Sequence, residues 1–323
     1  MCKIMELYMA KRGEDFMKAW VDLHCDTISA LEDSHLHIDI ESMKKSGISL
    51  QFFACFVNVL DGNWEDGYQK VENMIQKMYT EQTTELQLVS SYKEWEKNEK
   101  SNVISALLTL EEGGILNGKY SRIQELYRKG IRLITLTWNY ENCFGYPNSS
   151  NRNIMRKGLK SFGKEAVGQM NQLGMLIDVS HLSDGGFWDC IKLSKKPIVA
   201  SHSNARSLCN HPRNLTDKML QALSEKGGVA GLNFYPRFLK REGDAQLRDI
   251  AKHAKHMIQV AGEEVVAIGT DFAGYELEKG QKWISGVSEI ELVWDSMKRE
   301  HITERQIDKI MIGNARRVLQ EVL

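Results

Sequence analysis

The stretch Trp20-Val21-Asp22-Leu23-His24-Cys25-Asp26-Thr27 decides the fold. Val21 and Leu23 are the apolar body of a short strand, and an HxD pair, His24 and Asp26, closes it. Alternate residues of a strand share a face, so His24 and Asp26 point the same way at its C-terminal end. An imidazole and a carboxylate meeting there can hold a divalent transition metal. Taken alone, the pair equally fits a strand-end histidine hydrogen-bonded to its neighbour. Its meaning depends on whether the rest of the chain repeats the pattern.

It does. Apolar, β-rich segments begin near residues 20, 48, 102, 131, 175, 197, 229 and 265, and helical segments separate most of them. Expected helices cover Glu65–Thr83, Ser91–Lys97, Ser121–Lys129, Ser161–Leu173, Ser183–Leu193, Thr216–Lys226 and Asp244–Ala261, with two more near Val287–Lys298 and Thr303–Leu323. Gly130, Gly174, Gly227 and Gly262 stop four of them. Strand–helix alternation over 323 residues predicts an α/β protein, a (β/α)8 TIM barrel with C-terminal helices. No linker or low-complexity segment divides it, so residues 17–323 read as one domain. Residues 1–16 are charged, lack the apolar core of a signal peptide and read as an N-terminal extension, with Met17 as a candidate start.

Hydrophobic residues make up 42% and charged residues 26%, the composition of a soluble protein with a large core. A net charge of −1 argues against nucleic acid as partner, and no apolar run reaches the length of a membrane span. The cysteines at 2, 25, 55, 143, 190 and 209 form no CxxC pair and no disulfide framework, which points to a reducing, cytoplasmic setting.

In such a barrel the strand C-termini face the active site. Here they carry His24 and Asp26, Glu112, Trp138 or Asn139, His181, His202, Tyr235 and Asp271. Three histidines with carboxylates are the N/O donor set that zinc takes. The number of donors predicts two zinc ions, one on His24 and Asp26, the other on His181 and His202, bridged by Glu112. Such a pair would polarise a carbonyl and lower the pKa of a bridging water towards ~7. Asp271 is then free as base towards that water and acid towards a leaving amine. Only one of Glu111 and Glu112 can face inward, and periodicity does not choose between them.

These residues resemble the membrane (renal) dipeptidase family of the amidohydrolase superfamily, particularly its unanchored bacterial members. The resemblance runs from Val21 to the C-terminal helices. Its motifs are Asp22-Leu23-His24-Cys25-Asp26, Glu112-Gly113-Gly114, Ile177-Asp178-Val179-Ser180-His181, Ser201-His202-Ser203, Arg213-Asn214, Asn233-Phe234-Tyr235 and Gly269-Thr270-Asp271-Phe272. It implies a binuclear zinc barrel hydrolysing L-Xaa-(L or D)-Xaa dipeptides, and a homodimer. It assigns the metal bridge to Glu112, the acid/base role to Asp271 and the substrate carboxylate to Arg213, with Arg206 and Arg237 as competing arginines. Tyr235, Trp138 and Asn139 are expected to contact substrate. Trp138 stands where the family often has a histidine. His35 and His37 read as a solvated loop, and His211, His253, His256 and His301 as structural or exposed. The rival readings are an N-acyl-amino-acid deacylase or lactonase, and a metal-binding barrel without turnover.

Overall fold

The structure, a computed structural model, describes residues 18–28, 39–60, 62–278, 281 and 283–323. The expected extension over residues 1–16, and His35 and His37, lie outside the described residues. The strands are β1 (Trp20–Cys25), β2 (Ile48–Phe56), β3 (Leu86–Leu88), β4 (Ile104–Glu111), β5 (Ile131–Thr135), β6 (Leu176–Asp178), β7 (Val199–Ala200), β8 (Val229–Leu232) and β9 (Val266–Ile268). All pair in parallel in the order β2-β1-β9-β8-β7-β6-β5-β4, and β2 pairs back onto β4, closing an eight-stranded barrel. The short β3 was not foreseen. It pairs with the start of β4, Leu86↔Ile104 to Leu88↔Ala106, below the point where β5 takes over at Leu108↔Ile131.

Each barrel strand begins within a few residues of its expected position, because each is a short apolar run bounded by turn or cap residues. The helices follow suit: Trp64–Thr80, Tyr92–Lys100, Tyr120–Arg128, Ser161–Leu173, Asp184–Leu193, Asp217–Glu225 and Leu247–Ala261. Ser91, Ser183 and Thr216 cap three of them through their hydroxyl oxygens. Inside the barrel Val21, Leu23, Leu50, Phe52, Leu107, Leu133, Leu176, Val199, Val229 and Ala267 form one apolar cluster. The C-terminal helix Asn314–Val322 adds Ala315, Val318, Leu319 and Val322 to that cluster. A second, larger cluster fills the space between strands and helices. Among the described residues no helix is long and apolar enough to cross a membrane.

The apolar filling leaves the C-terminal rim to polar side chains, and the phase of each strand decides which ones face in. Leu107 belongs to the interior cluster, whereas Leu108 and Leu110 pack on the helices. Alternation therefore carries Thr109 and Glu111 to the inside. In β1 the ladder to β2 slips between Asp22 and Cys25, so Leu23 lies with the interior cluster and Cys25 with the outer one. That slip is what lets His24 and Asp26 join the interior face.

Candidate functional site

Six side chains meet at the rim. His24 Nε2 lies 3.5 Å from Asp26 Oδ2, 3.5 Å from Glu111 Oε2 and 3.7 Å from Asp271 Oδ1. The other Glu111 oxygen, Oε1, lies 3.1 Å from His181 Nε2 and 3.6 Å from His202 Nε2. All six residues are buried. His24, Asp26, His181, His202 and Asp271 stand where the sequence reading put them.

Glu112 does not join them, which corrects the expectation that it bridges the cluster. The chain leaves β4 at Glu112 with φ +78°, and its carboxylate turns outward. There Oε1 accepts hydrogen bonds from the Gly114 N–H at 2.7 Å and Asn142 Nδ2 at 2.6 Å, and Oε2 accepts one from the Trp138 N–H at 3.0 Å. Only glycine fits at 114, since a Cβ there would lie 2.3 Å from Glu112 Oε1. Glu112 thus ties the loops after β4 and β5 together, and Glu111 takes the central place. His181 and Asp271 also have positive φ, 64° and 62°. Left-handed backbone is uncommon outside glycine, and here it recurs where strands hand over their functional side chains.

Two buried aspartates brace the rim. Asp178 Oδ2 accepts from Thr135 Oγ1 at 2.7 Å and Ser201 Oγ at 2.6 Å, and its Oδ1 accepts from the N–H groups of Ser180 and Ser201. Asp22 accepts from the Thr270 N–H at 2.8 Å and its hydroxyl at 2.7 Å, tying β1 to the strand end that carries Asp271. Ser201 Oγ also lies 2.7 Å from His202 Nδ1. With the hydroxyl proton committed to Asp178, Nδ1 of His202 is the donor and Nε2 keeps its lone pair. His181 Nδ1 likewise donates to Asn139 Oδ1 at 3.0 Å. The two Nε2 atoms then face each other at 3.0 Å with lone pairs only.

Such an arrangement asks for a cation. Among the described residues, both ring nitrogens of His24, Asp26 Oδ1 and Glu111 Oε1 are buried without a hydrogen-bond partner. Buried polar atoms are normally paired, so these fit metal ligation. Ligand atoms of His24, Glu111 and His202 lie within 4.8 Å of one another, as do those of His24, Asp26 and Asp271. Electrostatics agrees for two of the three imidazoles. Burial pulls the His181 and His202 imidazoles well below the usual range, with Arg213 and His24 adding to the effect, which favours the neutral form that can bind a cation. Burial acts the same way on His24, but Glu111 and Asp26 override it and hold the imidazole well above its usual value. Burial lifts the carboxyls of Glu111 to about 7 and Asp271 to about 6, against the pull of His24.

The centre opens into a cleft of about 660 Å³. Trp138, Asn139 and Tyr235 line it, together with Phe56, Asn148, His211, Phe238 and Tyr275. His211 was read as structural or exposed; it lines the cleft and accepts the Arg213 N–H at 3.2 Å. His253 and His256 stay outside, on Leu239 O and Asp217. Gly274 also lines the cleft; a Cβ there would press on Asp271 Oδ1 at 2.3 Å and Asp26 Oδ2 at 2.4 Å. Of the competing arginines, Arg206 is bidentate on Asp184 at 2.8 Å, and Arg237 pairs with Glu278. Arg213 is 5% exposed and faces the cleft. Among the described residues its guanidinium donates to Ser203 Oγ at 3.3 Å and His202 O at 3.2 Å, and its Nε has no hydrogen-bond partner.

Fold and site together define a barrel metallohydrolase. The model of the membrane dipeptidase family, peptidase family M19, matches residues 13–323, and the chain belongs to that family of metallo-dipeptidases. It is 30% identical over 299 residues to an uncharacterized dipeptidase of Schizosaccharomyces pombe, covering 87% of this chain and 71% of the relative. It is 34% identical over 247 residues to an uncharacterized protein in the pqqA 5′ region of Klebsiella pneumoniae, covering 73% and 89%. Its fold is that of the dipeptidase AC, a metallopeptidase, with a TM-score of 0.86 at 24% identity, covering 95% of this chain and 99% of the other. A metallopeptidase from Rhodobacter sphaeroides, liganded with a phosphinate mimic of the dipeptide L-Ala-D-Ala, has the same fold with a TM-score of 0.84 at 22% identity, covering 95% and 100%.

Proposed function

We propose that this dipeptidase is a binuclear zinc enzyme cleaving L-Xaa-(L or D)-Xaa dipeptides. The observation that supports it is the placement of Glu111: one oxygen faces His24, and the other faces His181 and His202. His24 and Asp26 would hold one ion, His181 and His202 the other, and Glu111 would be shared. Two zinc ions held there would polarise the scissile carbonyl and activate the attacking water.

The chain's own residues do the rest. Asn233 Nδ2 holds Asp271 Oδ2 at 2.9 Å and leaves Oδ1 turned to the centre. Asp271 takes the proton of the attacking water as the new C–O bond forms, and delivers it to the nitrogen as the C–N bond breaks. Arg213 meets the free carboxylate with parallel hydrogen bonds. Tyr235, Trp138 and Asn139 flank the bound dipeptide, Asn139 while also orienting His181. A D-residue in the second position is supported by the L-Ala-D-Ala mimic carried by the Rhodobacter sphaeroides neighbour.

On the resemblance and the cysteine pattern we also read the enzyme as a cytoplasmic homodimer, with residues 17–323 as its one catalytic domain. Metal analysis of the purified protein with a panel of L,L- and L,D-dipeptides tests the central reading. Two zinc ions per chain and turnover of both series are expected, and activity confined to acylated amino acids would refute it. Arg213→Ala should cost about 10–150-fold in kcat/KM on a free dipeptide, the worth of a charged hydrogen bond. The loss should be much smaller on the matching dipeptide amide, and equal losses would remove Arg213 from substrate binding.

A further inference from the structure

We infer that Phe56 and Trp138 form the wall that selects the first residue of the substrate, and that they favour a large apolar side chain there. The inference deepens the dipeptidase reading and rests on Arg213 as the anchor for the second residue's carboxylate.

Topology places the wall. Around the barrel the strands run β2, β1, β9, β8, β7, β6, β5, β4 and back to β2. In a ring of eight, β4 stands opposite β8 and β2 opposite β7. Phe56 ends β2 and is in register with Glu111 of β4, while Trp138 follows β5 on the other flank of β4. Their rings meet over this strand end with centroids 4.8 Å apart. Arg213 follows β7, and Tyr235 and Phe238 follow β8. The aromatic pair and the guanidinium therefore face each other across the mouth, with Glu111, His24 and the other histidines between them. A dipeptide whose carboxylate sits on Arg213, and whose peptide bond lies over the centre, directs its first residue towards Phe56 and Trp138.

Chemistry sets the preference. Phe56 and Trp138 are both partly exposed and line the cleft. Tyr140 packs edge-on behind Trp138 at 5.6 Å, and Trp138 reaches to 6.3 Å from His181. Of the other cleft residues on this flank, Asn139 and Asn148 carry no charge, and Glu111 and His181 are turned to the centre. Apart from the tyrosines, the remaining ionisable lining groups, Asp26, His211, Arg213, Asp271 and Glu276, come from loops after β1, β7 and β9. A leucine or phenylalanine side chain on the first residue would thus be buried on aromatic surface, and a charged one would lose water with no free partner among the described residues of this flank.

The test is kcat/KM for Leu-Ala, Phe-Ala, Gly-Ala and Asp-Ala, with the transposed Ala-Leu, in the metal-loaded enzyme. Burial of such a side chain predicts that Leu-Ala and Phe-Ala exceed Gly-Ala and Asp-Ala by about 10–100-fold. Trp138→Ala and Phe56→Ala should each shrink that ratio, and Trp138→Phe should retain most of it. The Trp138 hydrogen bond to Glu112 is made by its backbone, so these variants leave that tie in place. Equal kcat/KM for Leu-Ala and Gly-Ala in the parent enzyme would overturn the inference. So would a ratio unmoved in both alanine variants, or a Trp138-dependent preference expressed on Ala-Leu in place of Leu-Ala. Failure of the anchor reading shows separately, as an Arg213→Ala loss that does not depend on the substrate carboxylate.

Discussion

Replacing Glu111 by glutamine, with Glu112→Gln as its partner experiment, separates two adjacent carboxylates with opposite duties. Glu111 presents its oxygens to imidazole nitrogens 3.1–3.6 Å away, so an ion among those nitrogens lies within about 4 Å of the carboxylate. At an effective dielectric constant of about 20, opposite unit charges at that distance attract by about 4 kcal/mol, or roughly a thousandfold in affinity. Glu111→Gln keeps the shape and removes the charge. Both ions should weaken by about that factor or more, and activity should go with them. Glu112 offers no such contact. Its oxygens accept from Gly114 N–H, Asn142 Nδ2 and Trp138 N–H, so a glutamine amide must oppose at least one buried donor. That costs about 1–3 kcal/mol of stability and leaves the metals in place. Chelator competition measures the first effect and thermal unfolding of the metal-loaded protein the second. Metal loss in Glu112→Gln with full retention in Glu111→Gln would refute the reasoning and restore the bridge to Glu112.

Three further outcomes follow from the site. Asp271→Asn should keep both metals and lose about 10²–10⁴-fold in kcat, and metal loss in that variant would make Asp271 a ligand. Ser201→Ala removes the hydroxyl that fixes the His202 tautomer and should lower metal affinity about 10–100-fold, whereas Thr135→Val, which frees the same Asp178 oxygen without touching a ligand, should not; equal effects would reduce Ser201 to packing. Stripping the metal with a chelator should lower Tm, since it leaves His181 and His202 nitrogens facing each other at 3.0 Å in a buried site, and an unchanged Tm would argue that no ion resides there.

Much of this protein is written locally. The barrel strands, their helices and the strand-end positions of His24, Asp26, His181, His202 and Asp271 were legible because short apolar runs, cap residues and the strand-end rule are local or nearly local signals. The selection between Glu111 and Glu112 was not. It depends on the phase of β4 against the barrel interior and on the left-handed turn at Glu112, both set by packing of distant strands. The same holds for the slip in β1 that turns His24 and Asp26 inward. Among the arginines, only the fold reveals that Asp184 and Glu278 neutralise Arg206 and Arg237 while Arg213 keeps its charge for the cleft. Residue types and strand ends alone pointed to a rim of imidazoles and carboxylates and to the chemistry such groups support. Which carboxylate is central, which cation is free, and that Phe56 and Trp138 stand across from Arg213 are properties of a closed ring, in which residues far apart in the chain become neighbours or opposites.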